Sequence, residues 1–67
     1  MKNNIRDIRK RMKISQEDLA NKCGVTRQTI NAIENDKYDP TLTLAFRLSF
    51  HLETTVDKLF TFEEDSK

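Results

Sequence analysis

Residues 27–35 read Arg27, Gln28, Thr29, Ile30, Asn31, Ala32, Ile33, Glu34, Asn35. At about 100° per residue on a helix, Ile30 and Ile33 share one side, and Gln28, Asn31, Ala32 and Asn35 gather around the other. A carboxamide can donate and accept a hydrogen bond at once, and the neighbouring guanidinium of Arg27 donates in a fixed fork. This is the chemistry of recognising a flat polar partner, not of making or breaking bonds. An ordinary solvated helix face carries Lys and Glu, whereas Asn is a weak helix former and Ala hydrates little. Solubility therefore does not explain the composition of this surface.

Side chains able to do catalysis are sparse. His51 is the only histidine, and no nucleophile or carboxylate stands at a motif spacing from it, so it reads as a helix-surface residue. Cys23 is the only cysteine; it cannot form an internal disulfide, and its distance from His51 along the chain gives no metal-ligand spacing. It reads as a small buried apolar residue late in a helix. We expect no enzyme, no metal and no cofactor. A chain of 67 residues is one domain with too small a core for a large ligand cavity, so no small-molecule ligand is foreseen.

The elements that position residues 27–35 follow from the punctuation. Helix 1 is expected from about residue 4 to 12, with Ile5, Ile8 and Met12 on one stripe. Ser15 is the N-cap of helix 2, Asp18 completes a capping-box-like pattern, and Ile14 and Leu19 take the staple positions. Leu19, Ala20 and Cys23 form its inner side, and Gly24, the only glycine, ends it in left-handed geometry. Thr26 then caps helix 3, with Val25 and Ile30 repeating the staple. So short a link between two stapled helices describes a helix-turn-helix over about residues 15–35. Pro40 breaks the chain again. Thr41 caps helix 4, whose Leu42, Leu44, Ala45, Leu48 and Leu52 are core candidates, and Thr55 caps a single-turn helix 5. Residues 61–67 form an acidic tail, and the alternation in residues 59–64 allows a short strand paired with the N-terminal residues.

Charge is unevenly spread along this order. Residues 1–13 carry six cations against Asp7, a net of +5; residues 14–52 sum to −1 and residues 53–67 to −3. The total of +1 thus hides a basic beginning and an acidic end. No apolar run of about 18 residues is present to span a bilayer, and the first 13 residues lack the apolar stretch of a signal peptide. The expected location is the cytoplasm, with no membrane partner.

The segments "SQEDLA", "GVTRQTINAIE", "KYDPT" and "VDKLF", in this order and spacing, resemble the Xre/Cro family of lambda-repressor-like helix-turn-helix proteins. The resemblance covers residues 4–60 and implies an all-α, compact five-helix DNA-binding domain with helix 3 in the major groove of double-stranded DNA. Asp36 and Glu53 stand where many relatives have glycine, and Thr54 where an apolar residue is common. The resemblance implies base contacts from Arg27, Gln28 and Ala32, with Asn31 close enough to join them. Gln or Asn can bond adenine N6 and N7, Arg can bond guanine O6 and N7, and an Ala methyl can meet thymine. Gln16, Thr26, Thr29, Asn35, Lys37 and Tyr38 are expected on phosphates, Tyr38 having a core-covering role as its alternative. Glu34, only about 40° around the helix from Ile30, sets a carboxylate beside the core; in related proteins the position of Arg9 supplies its partner.

One helix reads few base pairs, so a homodimer on a palindromic operator is expected, in the manner of a repressor-type transcriptional regulator. Phe50, Leu59, Phe60 and Phe62 form an apolar group large enough to build its interface. An antitoxin, or an adaptor that keeps the fold for protein binding, is the alternative.

Overall fold

Side-chain caps begin three of the helices, and a left-handed residue closes each of the first four. Ser15 Oγ accepts the Asp18 amide at 2.9 Å, Thr26 Oγ1 the Thr29 amide at 3.2 Å, and Thr41 Oγ1 the Leu44 amide at 3.2 Å, each satisfying a donor that the helix itself leaves unpaired. At the other ends, Lys13, Gly24, Asp36 and Glu53 have φ of 60°, 74°, 62° and 58°. The amide after each reaches back to close the last turn: Ile14 to the Arg9 carbonyl at 3.0 Å, Val25 to Ala20 at 3.0 Å, Lys37 to Ala32 at 2.9 Å and Thr54 to Ser49 at 2.9 Å. All four are Schellman closures. Asp36 and Glu53 adopt the left-handed backbone that glycine favours, so the turn between helices 4 and 5 closes despite Glu53. Lys13 is a third such residue, and nothing in its side chain announces it.

The computed structural model describes residues 1–63, in the order β1 (Lys2–Asn3), α1 (Ile5–Arg11), α2 (Gln16–Cys23), α3 (Arg27–Glu34), α4 (Leu42–His51), α5 (Val56–Leu59) and β2 (Phe60–Thr61). The last four residues of the acidic tail lie outside the described residues. Ile5, Leu19, Ile30, Ile33, Leu48, Leu52 and Leu59 are fully buried, joined by Ala20, Cys23, Leu44, Ala45 and Phe60. Ile8, Met12, Ile14, Val25 and Val56 pack against this core from its edge. The helix α2 packs on both α3 and α4, and α4 also on α5. Burial pushes the Cys23 thiol up from its ordinary value, an effect that the Arg47 charge partly offsets.

Two expectations need correction. Leu42 is not a core residue: it is 72% exposed, because the Thr41 cap fixes it as the first residue of α4 and the turns that follow bring Leu44, Ala45 and Leu48 inward. Thr55 begins α5 with extended backbone but accepts no amide through its side chain; Asp57, two residues on, takes its hydroxyl instead and is held below the usual carboxylate range. The short strand pairing allowed by the sequence is present and joins the two ends of the chain. Strands β1 and β2 pair antiparallel, Lys2 opposite Thr61 and Asn3 opposite Phe60, so Lys2 Nζ lies 3.8 Å from Glu63 and the two ends neutralise one another locally.

A non-glycine residue in left-handed geometry costs about 1–2 kcal/mol, offset in part by the roughly 0.4–1 kcal/mol that glycine loses through its freer unfolded chain. Glu53→Gly should therefore raise stability by roughly 0.5–1 kcal/mol, read as a rise of roughly 2–8 °C in a thermal melt. Asp36→Gly should gain less, since Asp tolerates this geometry better than Glu.

Candidate nucleic-acid interface

The carboxylate of Glu34, at the last turn of α3, has no exposed side-chain surface, and three side chains supply its hydrogen bonds. Arg9 donates from Nε to Oε2 at 2.8 Å and from Nη2 to Oε1 at 3.3 Å. Gln16 Nε2 donates to Oε1 at 3.0 Å, and Arg6 Nε to the same oxygen at 3.3 Å. Arg9, itself buried, also donates from Nη1 to the Ile14 carbonyl at 3.0 Å. Helix α1, the start of α2 and the end of α3 are thus tied to one charge. Burial alone pushes the Glu34 carboxyl up, but the hydrogen bonds from Arg9, Gln16 and Arg6 and the Arg9 charge together hold it below its ordinary value. It remains ionised, neutralised and out of sight of solvent.

On the far side of α3, Arg27, Gln28 and Asn31 are exposed and Ala32 is half-buried. The first turn of α3 holds no acidic residue. Among the described residues, neither Arg27 nor Gln28 is engaged in a side-chain hydrogen bond or ion pair, so both are left to solvent. At the start of the helix the Thr26 and Thr29 hydroxyls lie 3.1 Å apart, Thr26 exposed and Thr29 half-buried. Beyond its end, Lys37 and Tyr38 are exposed, Tyr38 at 47%; its ring does not close over the core.

A helix-turn-helix family model matches residues 5–59. The chain belongs to the lambda-repressor-like helix-turn-helix family. An uncharacterized HTH-type transcriptional regulator of Methanocaldococcus jannaschii is 46% identical to it over 97% of this chain and 98% of that protein. The crystal structure of the restriction-modification controller protein C.AhdI from Aeromonas hydrophila superposes with a TM-score of 0.78 at 26% identity, over 85% of this chain and 86% of the other. The hydroxypropylphosphonic acid epoxidase of S. wedmorenis gives a TM-score of 0.77 at 31% identity, over 85% of this chain but only 30% of the enzyme. The family likeness spans nearly all of this helix-turn-helix protein, a transcriptional regulator with a DNA-binding domain, whereas in the epoxidase the same fold is a minor part. Among the described residues no helix is long and apolar enough to cross a membrane.

Within this family member, and beside the Arg9–Glu34 pair and the half-buried Thr29, the residues singled out from sequence divide into three groups. Arg27, Gln28, Asn31, Ala32, Thr26, Lys37 and Tyr38 share the surface of α3 and its two flanks. Gln16 and Asn35 do more than face outward. The amide of Gln16 is held by Glu34. Asn35 Oδ1 accepts from Arg6 Nη2 at 2.9 Å, while its Nδ2 donates to the Asn31 carbonyl at 2.9 Å and to Asn31 Oδ1 at 3.2 Å. Leu59, the last residue of α5, and Phe60, the first of β2, are taken up by the protomer's own core; of the four residues expected at a dimer interface, Phe50 and Phe62 remain exposed. Arg6 was not singled out from sequence. Its place three residues before Arg9, one turn along the same face, is the signal that could have found it.

Removing one member of a buried ion pair leaves a charge without a partner, at a cost of about 3–5 kcal/mol. Arg9→Met should lose that much in chemical denaturation, and Arg9→Met with Glu34→Leu should recover most of it. Because the Glu34 carboxyl lies lower in the folded protein than in the unfolded chain, its contribution is full above the ordinary value of 4.5 and is lost as pH falls through the folded value. Melts of the wild-type protein should accordingly weaken below about pH 4.5, and the double variant should show a shallower acid slope.

Proposed function

We propose that the protein is a sequence-specific repressor that acts in the cytoplasm, binding a two-fold operator as a homodimer with α3 in the major groove. The observation that carries this reading is an uncovered amide and guanidinium surface on α3, a helix whose own one carboxylate, Glu34, is buried and matched by three donors. An exposed carboxylate there would repel phosphates; a neutralised one lets the helix approach DNA. Gln28 lies opposite Ile30 and reads a base edge, with Arg27, Asn31 and Ala32 beside it. Thr26, Thr29, Lys37 and Tyr38 hold the backbone on either side, whereas Asn35, expected there from sequence, has its amide hydrogens taken by Asn31. Gln16 keeps one of its two amide hydrogens for Glu34, so the other, with the first amides of α2, serves a phosphate.

Leu42, Phe46 and Phe50 recur every four residues along α4 and are 72%, 59% and 78% exposed. The recurrence makes a ridge. Beside it, sharing Leu42, runs a groove of about 310 Å³ lined by Met1, Pro40, Ala45, Val56 and Phe60. A ridge and a groove on one face are complementary to themselves under a two-fold rotation, the geometry of an isologous dimer. The protomer's principal extents of 38, 21 and 20 Å accommodate recognition helices about 34 Å apart. The dimer face therefore belongs mainly to α4, with Phe62 at its margin, instead of to α5.

Two substitutions separate sequence reading from mere attraction. Gln28→Ala should flatten preference at one base pair by about 1–3 kcal/mol, while Lys37→Ala should weaken all duplexes alike and lower the salt dependence of binding by about one released counterion. Titrations at several salt concentrations measure both, and binding indifferent to salt would instead favour a protein-binding adaptor. In sedimentation, Phe46→Asp should turn the dimer into monomer; a dimer that persists removes α4 as the interface.

A further inference from the structure

We infer that Arg6 and Asn35 set the hydrogen-bonding polarity of Asn31, so that Asn31 offers donors to the groove and selects guanine over adenine at the base it faces. The inference rests on the reading of α3 as a groove-binding helix. It begins from a chain of contacts that leaves no choice of amide orientation. Arg6, held at Nε by the Glu34 carboxylate at 3.3 Å, has only donors. Its Nη2 lies 2.9 Å from the side chain of Asn35, so the Asn35 atom there must be the acceptor, Oδ1. The Nδ2 of Asn35 is then turned toward Asn31, where it finds the backbone carbonyl at 2.9 Å. A carbonyl accepts only, so this contact fixes the same orientation independently. The Asn31 side-chain atom 3.2 Å from that Nδ2 must likewise accept, and it is Oδ1.

The consequence falls on the exposed end of Asn31. With Oδ1 turned to Asn35 one helical turn on, Nδ2 and its two hydrogens lie on the side away from Asn35, and among the described residues they have no partner. To read adenine an amide must set its oxygen against N6 and its nitrogen against N7; guanine presents two acceptors, O6 and N7. A donor-only group matches guanine. The chain starts at a cation, and hydrogen bonds from charged groups are about twice as strong as those between neutral ones. Arg6 and Asn35 are positioning residues here, and the specificity they confer is invisible in the identity of Asn31 alone.

Selection of bound duplexes from a randomised pool tests this, using the full chain as wild type, Asn31→Ala, Asn35→Ala and Arg6→Met, each checked for folding by a circular-dichroism melt. The operator position read by Asn31 is the one whose preference Asn31→Ala erases. At that position the wild type should favour guanine over adenine by roughly tenfold. Asn35→Ala and Arg6→Met should each reduce the ratio to below about threefold while the preference lost in Gln28→Ala stays in place; a merely structural role would weaken both together. Adenine favoured by the wild type, a guanine preference unchanged in both variants, or no position erased by Asn31→Ala each overturns the relay while leaving groove binding standing. A pool from which the wild type selects no sequence overturns groove binding and the relay with it.

Discussion

One buried carboxylate organises this protein. Glu34 sits where the last turn of α3 meets α1 and the start of α2, and it receives donors from Arg6, Arg9 and Gln16. A charge taken out of water without partners is untenable, and with three it becomes a junction. The arrangement solves two problems together. It fixes the angle at which α3 leaves the core, and it removes negative charge from the surface that α3 presents. A hydrophobic substitute would meet both needs equally well. It would not orient Arg6 toward Asn35, nor hold the amide of Gln16 at the start of α2.

The second constraint is brevity. Five helices fit in so few residues only because their connections are as short as closures allow, and each of the first four ends in one left-handed residue. Only one of those four positions carries glycine. At Gly24 a side chain would meet Arg47 Nη1 at 3.6 Å, ordinary contact, so the case for glycine there is conformational and not spatial. Arg47 uses the proximity: its Nη1 donates to the Cys23 carbonyl at 3.3 Å, covering an acceptor at the end of α2. At Lys13, Asp36 and Glu53 the chain tolerates strain, and the backbone closures around them hold it in place.

Most of the architecture was legible because it depends on local chemistry. Ser15, Thr26 and Thr41 announce helix starts through a hydroxyl in the right place, and Gly24 announces an end. The staples Ile14 with Leu19 and Val25 with Ile30 announce how adjacent helices enter the core. What was not legible depends on tertiary direction. Leu42 and Leu44 are both apolar and two residues apart, and only the packing of α4 on α2 and α5 decides which is buried. Leu59 and Phe60 looked like surplus, but the end of α5 and the start of β2 place both in the core. Gln16 and Asn35 read as outward-facing amides, but a sequence cannot show that each has a partner inside the protein. At the candidate site, types and faces were therefore readable, while hydrogen-bond polarity was not.

The pairing of Lys2–Asn3 with Phe60–Thr61 carries a dynamic consequence. It joins the two most distant segments of the described chain, so its closure carries the largest loop entropy of any pairing in the fold. Asn3, in that pairing, also donates from Nδ2 to the Ile33 carbonyl at 2.8 Å. Each fraying of the terminal ribbon thus leaves the Ile33 carbonyl with the Asp36 amide alone, at 3.1 Å, and ties the last turn of α3 to the breathing of the chain's own ends.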